Sequence, residues 1–180
     1  MAKITDLELQ VEEGQEVSGQ VPPLLNGKYK LRIIKTSNQP SKRTGGRMVT
    51  LEVEIVSPER IKRNGQLYVV SGLKGKCYFP LESKKGDKIQ KDLQRAYFDF
   101  RKMMDVDPYF DKENPEHEDL RGMGFEAVLG SEERIPMIKD EEGNDVQLKD
   151  ENGQPVSKGW VINMINSRDI TGKADLDARG

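Results

Sequence analysis

The strongest constraint on this fold is a strict two-residue alternation in two neighbouring stretches. In KYKLRIIKTS, residues 28–37, Tyr29, Leu31 and Ile33 alternate with Lys28, Lys30 and Arg32. In RMVTLEVEIVS, residues 47–57, Val49, Leu51, Val53 and Ile55 alternate with Met48, Thr50, Glu52 and Glu54. Successive side chains of a strand point to opposite faces, so each stretch predicts a half-buried strand, and the first has a basic outer face. The loop between them, NQPSKRTGGR, carries Pro40 and Gly45-Gly46. The pair therefore predicts a long hairpin whose tip holds Lys42, Arg43 and Arg47.

Downstream the pattern recurs in shorter pieces. SPERIKRNGQ reads as a second basic turn, with Asn64-Gly65 as hairpin punctuation. QLYVVSG and GKCYFPL read as short strands. The period then changes. In SKKGDKIQKDLQRAYFDFRKMMD, Ile89, Leu93, Ala96/Tyr97, Phe100 and Met104 recur at three- and four-residue steps, which predicts an amphipathic helix. Pro108 and Pro115 break the acidic stretch that follows. GFEAVLG predicts a strand with Phe125, Ala127 and Leu129 on one face. Residues 135–159 read as an acidic hairpin, with turn signals at Gly143-Asn144 and Asn152-Gly153, and GWVINMINS as the last strand.

This order predicts a mainly β chain. It suits a five-stranded OB-fold-like barrel with one helix between strands three and four, plus an extra hairpin. The expected organisation is an acidic N-terminal arm over residues 1–27, an OB-fold-like domain over 28–167 and a flexible C-terminal tail over 168–180.

Charge is sorted into blocks along the chain. Residues 28–102 carry 19 Lys+Arg against 7 Asp+Glu, whereas residues 1–27 carry net −4 and residues 103–180 net −10. The overall charge of −2 hides a strongly basic middle. Such a segment in an otherwise acidic chain suits a polyanion partner held reversibly. Several other classes are disfavoured. No apolar run approaches the ~20 residues of a membrane span, and the N-terminus lacks a signal-peptide apolar region, which predicts a cytoplasmic protein. One cysteine, Cys77, permits no internal disulfide, and one cysteine with one histidine, His117, does not make a usual structural zinc site.

The stretch GKYKLRIIKTSNQPSKRTGGRMVTLEVEIVSPERIKRNGQ resembles the opening of bacteriophage OB-fold single-stranded-DNA-binding proteins. Their pattern is a short G-x-Y strand, a Ser/Lys/Gly loop, an alternating strand ending in Glu-x-x-Ile/Val, and a basic turn. DLRGMGFEAVLG, Asp119 to Gly130, resembles a later strand of that group, and the likeness spans about residues 20–170. It implies a non-catalytic single-stranded-DNA-binding protein of phage replication or recombination, with weak sequence preference, in the cytoplasm of the host bacterium. Replication or recombination proteins are further partners it implies. The chain departs from the group at its end, ADLDARG, which lacks a strongly acidic, aromatic-tipped tail. The competing expectation is a phage structural or assembly protein built on a β-barrel, with its charge blocks pairing between subunits.

A single-strand binder needs cations along a groove and exposed aromatic faces between them. Alternation turns Tyr68 away from Leu67 and Val69, and Tyr78 away from Cys77 and Phe79, next to Lys74 and Lys76. These two tyrosines are the stacking candidates. The phosphate candidates are Lys35, Lys42, Arg43 and Arg47 around the first hairpin, with Arg60, Lys62 and Arg63 at the second turn. Tyr29 and Trp160 are assigned to the core. The helix bases Lys84, Lys85, Lys88, Lys91 and Arg95 are interleaved with Asp87 and Asp92 and rank lower, as surface pairs.

No enzyme class is supported. His117 is expected at the surface and Cys77 as a small buried hydrophobe. No phosphate-binding glycine loop occurs. Glu82-Ser83-Lys84 is only a faint match to a metal-dependent nuclease. Asp140, Glu141, Glu142 and Asp145 match no EF-hand spacing and read as a solvated turn. No metal or cofactor is expected.

Overall fold

The computed structural model describes residues 17–18, 21–38, 40, 46–110 and 117–176. In chain order the strands before the helix are β1 (Val17–Ser18), β2 (Gly27–Ser37), β3 (Met48–Ser57), β4 (Arg60–Arg63), β5 (Gln66–Val69) and β6 (Lys74–Pro80). The helix α1 (Asp87–Met103) follows. After it come β7 (Gly124–Leu129), β8 (Ser131–Glu133), β9 (Met137–Lys139), β10 (Asp145–Gln147), β11 (Trp160–Ile162) and β12 (Ile170–Ala174).

The body is a five-stranded antiparallel sheet in the order β12-β7-β2-β3-β6. Alternation decides which faces are buried. Tyr29, Leu31 and Ile33 of β2, Val49, Leu51, Val53 and Ile55 of β3, Cys77 and Phe79 of β6, and Phe125, Ala127 and Leu129 of β7 form one continuous core. Register shifts at Lys30/Leu31 and Ile33/Lys35 interrupt the β2–β3 pairing. Such bulges add local bend and twist to a long pair. Among the described residues, the pairing does not run on into the closed barrel that was expected. A parallel bridge, Cys77↔Ile165, links β6 to the chain leading into β12.

Helix α1 lies between the third and fourth strands of this sheet and covers the core. Tyr97, Phe100 and Met104 are buried, with the Phe79 ring 5.2 Å from Tyr97 and 4.8 Å from Phe100. Phe100 also meets Phe125 edge-on at 5.5 Å. Ile89, expected on the inner face, lies in the first turn and is 40% exposed. Asp87 opens the helix and Arg101 and Lys102 close it, each opposing the nearer end of the helix dipole.

Arg101 is only 3% exposed. Its guanidinium donates to both carboxylate oxygens of Asp119, at 3.1 and 2.5 Å, and its Nε donates to the Asp107 carbonyl at 2.6 Å. This clasp ties the chain after α1 to the segment entering β7. His117, expected at the surface, lies beside it in sequence and is 5% exposed. Local composition suggested a solvated loop, but the segment turns inward where Leu120 joins the core.

Two insertions decorate the sheet. Between its second and third strands, β4 and β5 form a hairpin through Asn64 and Gly65, both at positive φ. Strand β1 pairs parallel to β5. Between its fourth and fifth strands, β8 pairs with β11 and encloses the β9–β10 hairpin. The acidic turns there are self-capping: Asp140 Oδ1 accepts from the Glu142 and Asn144 amides, and Asp150 Oδ1 from those of Asn152 and Gln154.

Two expected boundaries move, and one core assignment changes. The folded body begins before residue 28, because Leu25 is fully buried and its amide donates to Ser131 Oγ at 2.9 Å. Trp160 opens a three-residue strand of the insertion and is half-buried rather than in the core. The expected flexible tail from residue 168 contains β12, the fifth strand of the main sheet, antiparallel to β7. A short strand at a sheet edge has little apolar alternation to betray it.

Candidate nucleic-acid interface

Register determines what the outer face of the sheet displays. Lys35 on β2 stands opposite Glu52 on β3, and Glu52 stands opposite Lys76 on β6. One step along, Arg32, Glu54 and Lys74 form a parallel row, with Arg32 and Glu54 3.5 Å apart. The next row is Ser37, Thr50 and Tyr78. Cross-strand partners share a face, so basic residues on both flanks are separated by a central acidic strand. The glutamates neutralise part of the charge that composition alone would assign to this face.

On the β6 side this face opens into a groove of about 280 Å³. One wall is Lys74, Gly75, Lys76 and Tyr78; the other is Val161, Ile162 and Met164, with Val21 completing the lining. Lys74 and Lys76 are exposed, and Tyr78 is half-buried, opposite in facing to the buried Cys77 and Phe79. Glycine at position 75 lets the two walls approach: a Cβ there would lie 3.3 Å from Ile162 Cγ2. Burial raises the Cys77 thiol far above its usual range, with the nearby Asp169 charge adding to the effect, so the thiol stays protonated. Its role is packing beneath the groove.

The groove thus brings together Lys74, Lys76 and Tyr78. Its apolar wall was not anticipated, because Val161, Ile162 and Met164 come from the insertion rather than the main sheet. The tight register of Gly75 between two lysines was the available signal.

The other candidates lie elsewhere. Lys42 and Arg43 fall outside the described residues. Arg47 forms an ion pair with Glu82 at 3.3 Å, which engages the carboxylate of the faint nuclease motif. Arg60, Lys62 and Arg63 belong to β4, a strand, where a basic turn was expected. Lys62 is exposed, and the half-buried Arg60 has its Nε buried without a hydrogen-bond acceptor.

Arg63 acts as a structural tie. Its Nε donates to the Leu24 carbonyl at 2.7 Å and its Nη2 to the Asn26 carbonyl at 3.2 Å, while Nη1 donates to Lys62 O at 2.9 Å. Tyr29 lies close by, its hydroxyl donating to Leu25 O at 2.5 Å. Burial raises the Tyr29 phenol above its usual range, and the Arg63 charge opposes this. Arg63→Ala is therefore expected to lower the melting temperature by several degrees and leave the salt dependence of any DNA binding unchanged. A flattened salt slope with intact stability would return Arg63 to the phosphate contacts.

Tyr68 also reverses its expected facing. It pairs across the hairpin with Ile61, and both pack against the core. Alternation along β5 is correct in period and opposite in sense, because the hairpin folds back over the core on its tyrosine side.

No family model, curated protein or solved structure matches this chain. Among the described residues, no helix is long and apolar enough to cross a membrane.

Proposed function

We propose that this chain is a non-catalytic single-stranded-DNA-binding protein that grips its ligand along the outer face of β6. The observation that carries this reading is the groove with Lys74, Lys76 and Tyr78 on one wall and apolar side chains on the other. Unstacked bases need an aromatic or apolar surface, and the phosphates between them need nearby cations. Among the described residues, no polar side chain lines this groove apart from the lysines and the tyrosine hydroxyl, which suits sequence-tolerant binding.

The scaffold supports the same reading. The strand order, the helix between third and fourth strands and the bridge from the third strand toward the fifth suit a partly open OB-like barrel. OB folds bind oligonucleotides on the face of strands two and three, beside the loops joining strands one to two and four to five. Here the groove combines the third strand with the insertion between the fourth and fifth. Phage replication or recombination is the setting that the sequence resemblance suggests.

The test is titration of a fluorescent oligo(dT) at two salt concentrations, with duplex DNA as competitor. Single strands are expected to bind more tightly than duplex. Log affinity should fall with log salt by about 0.7 per phosphate neutralised. Absence of binding at low salt, or a preference for duplex, would overturn the proposal.

A further inference from the structure

The segment from Val161 to Asn166 has a groove on each side, and Met164, 57% exposed, lines both. The second groove, of about 510 Å³, lies between this segment and the end of β7. Its polar lining is Asn26, Glu132, Asn163, Asn166, Arg168 and Asp169. Two carboxylates against one guanidinium give it a charge opposite to that of the lysine-lined groove. A phosphate is favoured on the Lys74/Lys76 side of the ridge and disfavoured on this one.

The second groove is equipped for the edge of a base. Gly130 lies in its lining, and a Cβ there would be 3.1 Å from Asn163 Nδ2 and 3.5 Å from Asn26 Oδ1. Lacking that atom, the glycine lets two side-chain amides converge. Asp169 is already engaged, its Oδ2 accepting from the Asn166 amide at 2.9 Å, whereas Glu132 stands exposed on β8 opposite Val161. The Asn166 side chain is engaged as well, accepting from the Asp169 backbone amide, so the acceptors available to a ligand are the Glu132 carboxylate and the carboxamide oxygens of Asn26 and Asn163.

We propose that this groove is a base-reading subsite for the single strand held on β6, and that it favours cytosine over thymine. It rests on the single-strand reading of the first groove. Cytosine presents its N4 amino group as a donor where thymine presents the O4 acceptor, and Glu or Asp is the usual partner of that amino group. Thymine would bring an acceptor toward the Glu132 carboxylate. Selectivity arises because the mismatched base leaves polar groups facing without a hydrogen bond.

The experiment compares (dC) and (dT) oligonucleotides of equal length by fluorescence anisotropy. It uses the full chain and the Glu132→Ala/Asn163→Ala double variant, whose folding is checked by thermal melting. The full chain is expected to bind (dC) about fivefold or more tighter than (dT). In the double variant the two affinities should converge, with (dT) binding retained. Equal affinities in the full chain, a thymine preference, or a cytosine preference that survives the double substitution would overturn the subsite alone. Failure of both oligonucleotides to bind would overturn the single-strand reading, and the subsite with it.

Discussion

Tyr78→Ala is expected to weaken single-strand binding by about 1–3 kcal/mol, roughly 5- to 150-fold, with little loss of stability. Tyr78→Phe should retain most of the affinity, because stacking uses the ring face rather than the hydroxyl. Tyr78 lines the groove on the same wall as Lys76, with its backbone held in register opposite Thr50. Changing Lys74 and Lys76 together to Ala should lower affinity further and flatten the salt slope by about 0.7 per lysine. The measurements are affinity at several salt concentrations and thermal melting of each variant. If Tyr78→Ala melts early and binds normally once folded, the tyrosine is structural and the β6 face is not the interface.

Phe79→Ala should do the converse. The side chain is 1% exposed and touches the Tyr97 and Phe100 rings, so it joins the main sheet to α1. Truncation removes the ring's transfer free energy and leaves a cavity, at a cost of about 3–5 kcal/mol. Domains of this kind have only about 5–15 kcal/mol in total, so the variant should be visibly less stable. Urea unfolding should show a lower midpoint with an unchanged slope. DNA affinity, measured where the variant is still folded, should stay near that of the parent. A cost below about 1 kcal/mol would mean that α1 does not depend on this contact. Two adjacent residues on one strand thus separate binding from folding, because a period of two sends them to opposite faces.

Helix periodicity was legible over the same core. Tyr97, Phe100 and Met104 fall on the buried face as their spacing requires, and Tyr29, Leu31 and Ile33 of β2, Val49, Leu51, Val53 and Ile55 of β3, and Phe125, Ala127 and Leu129 of β7 turn inward as alternation predicts. What alternation lacks is an absolute sense for a strand apolar on both faces. Gln66–Val69 is half-buried throughout, so its pattern did not decide whether Tyr68 or Leu67 met the core.

Other parts had no local signature. Arg63 was read as a free cation, yet carbonyls of residues 24 and 26, far away in sequence, accept its hydrogen bonds. The Arg101–Asp119 clasp likewise joins residues separated by a loop, and neither residue is unusual among 33% charged residues. Strand β12 was read as tail, because only Ile170 and Ala174 turn toward the core, too few to show a period, and its pairing with β7 uses backbone hydrogen bonds that any sequence can supply. The sequence by itself determined the long hairpin, the helix and the outward facing of Tyr78, since those follow from side-chain periodicity over a few consecutive residues. Only the tertiary structure decided that Lys74, Lys76 and Tyr78 face an apolar wall, and that Glu52 and Glu54 stand beside the lysines, because strand register and the course of an insertion are set by contacts between residues distant in the chain.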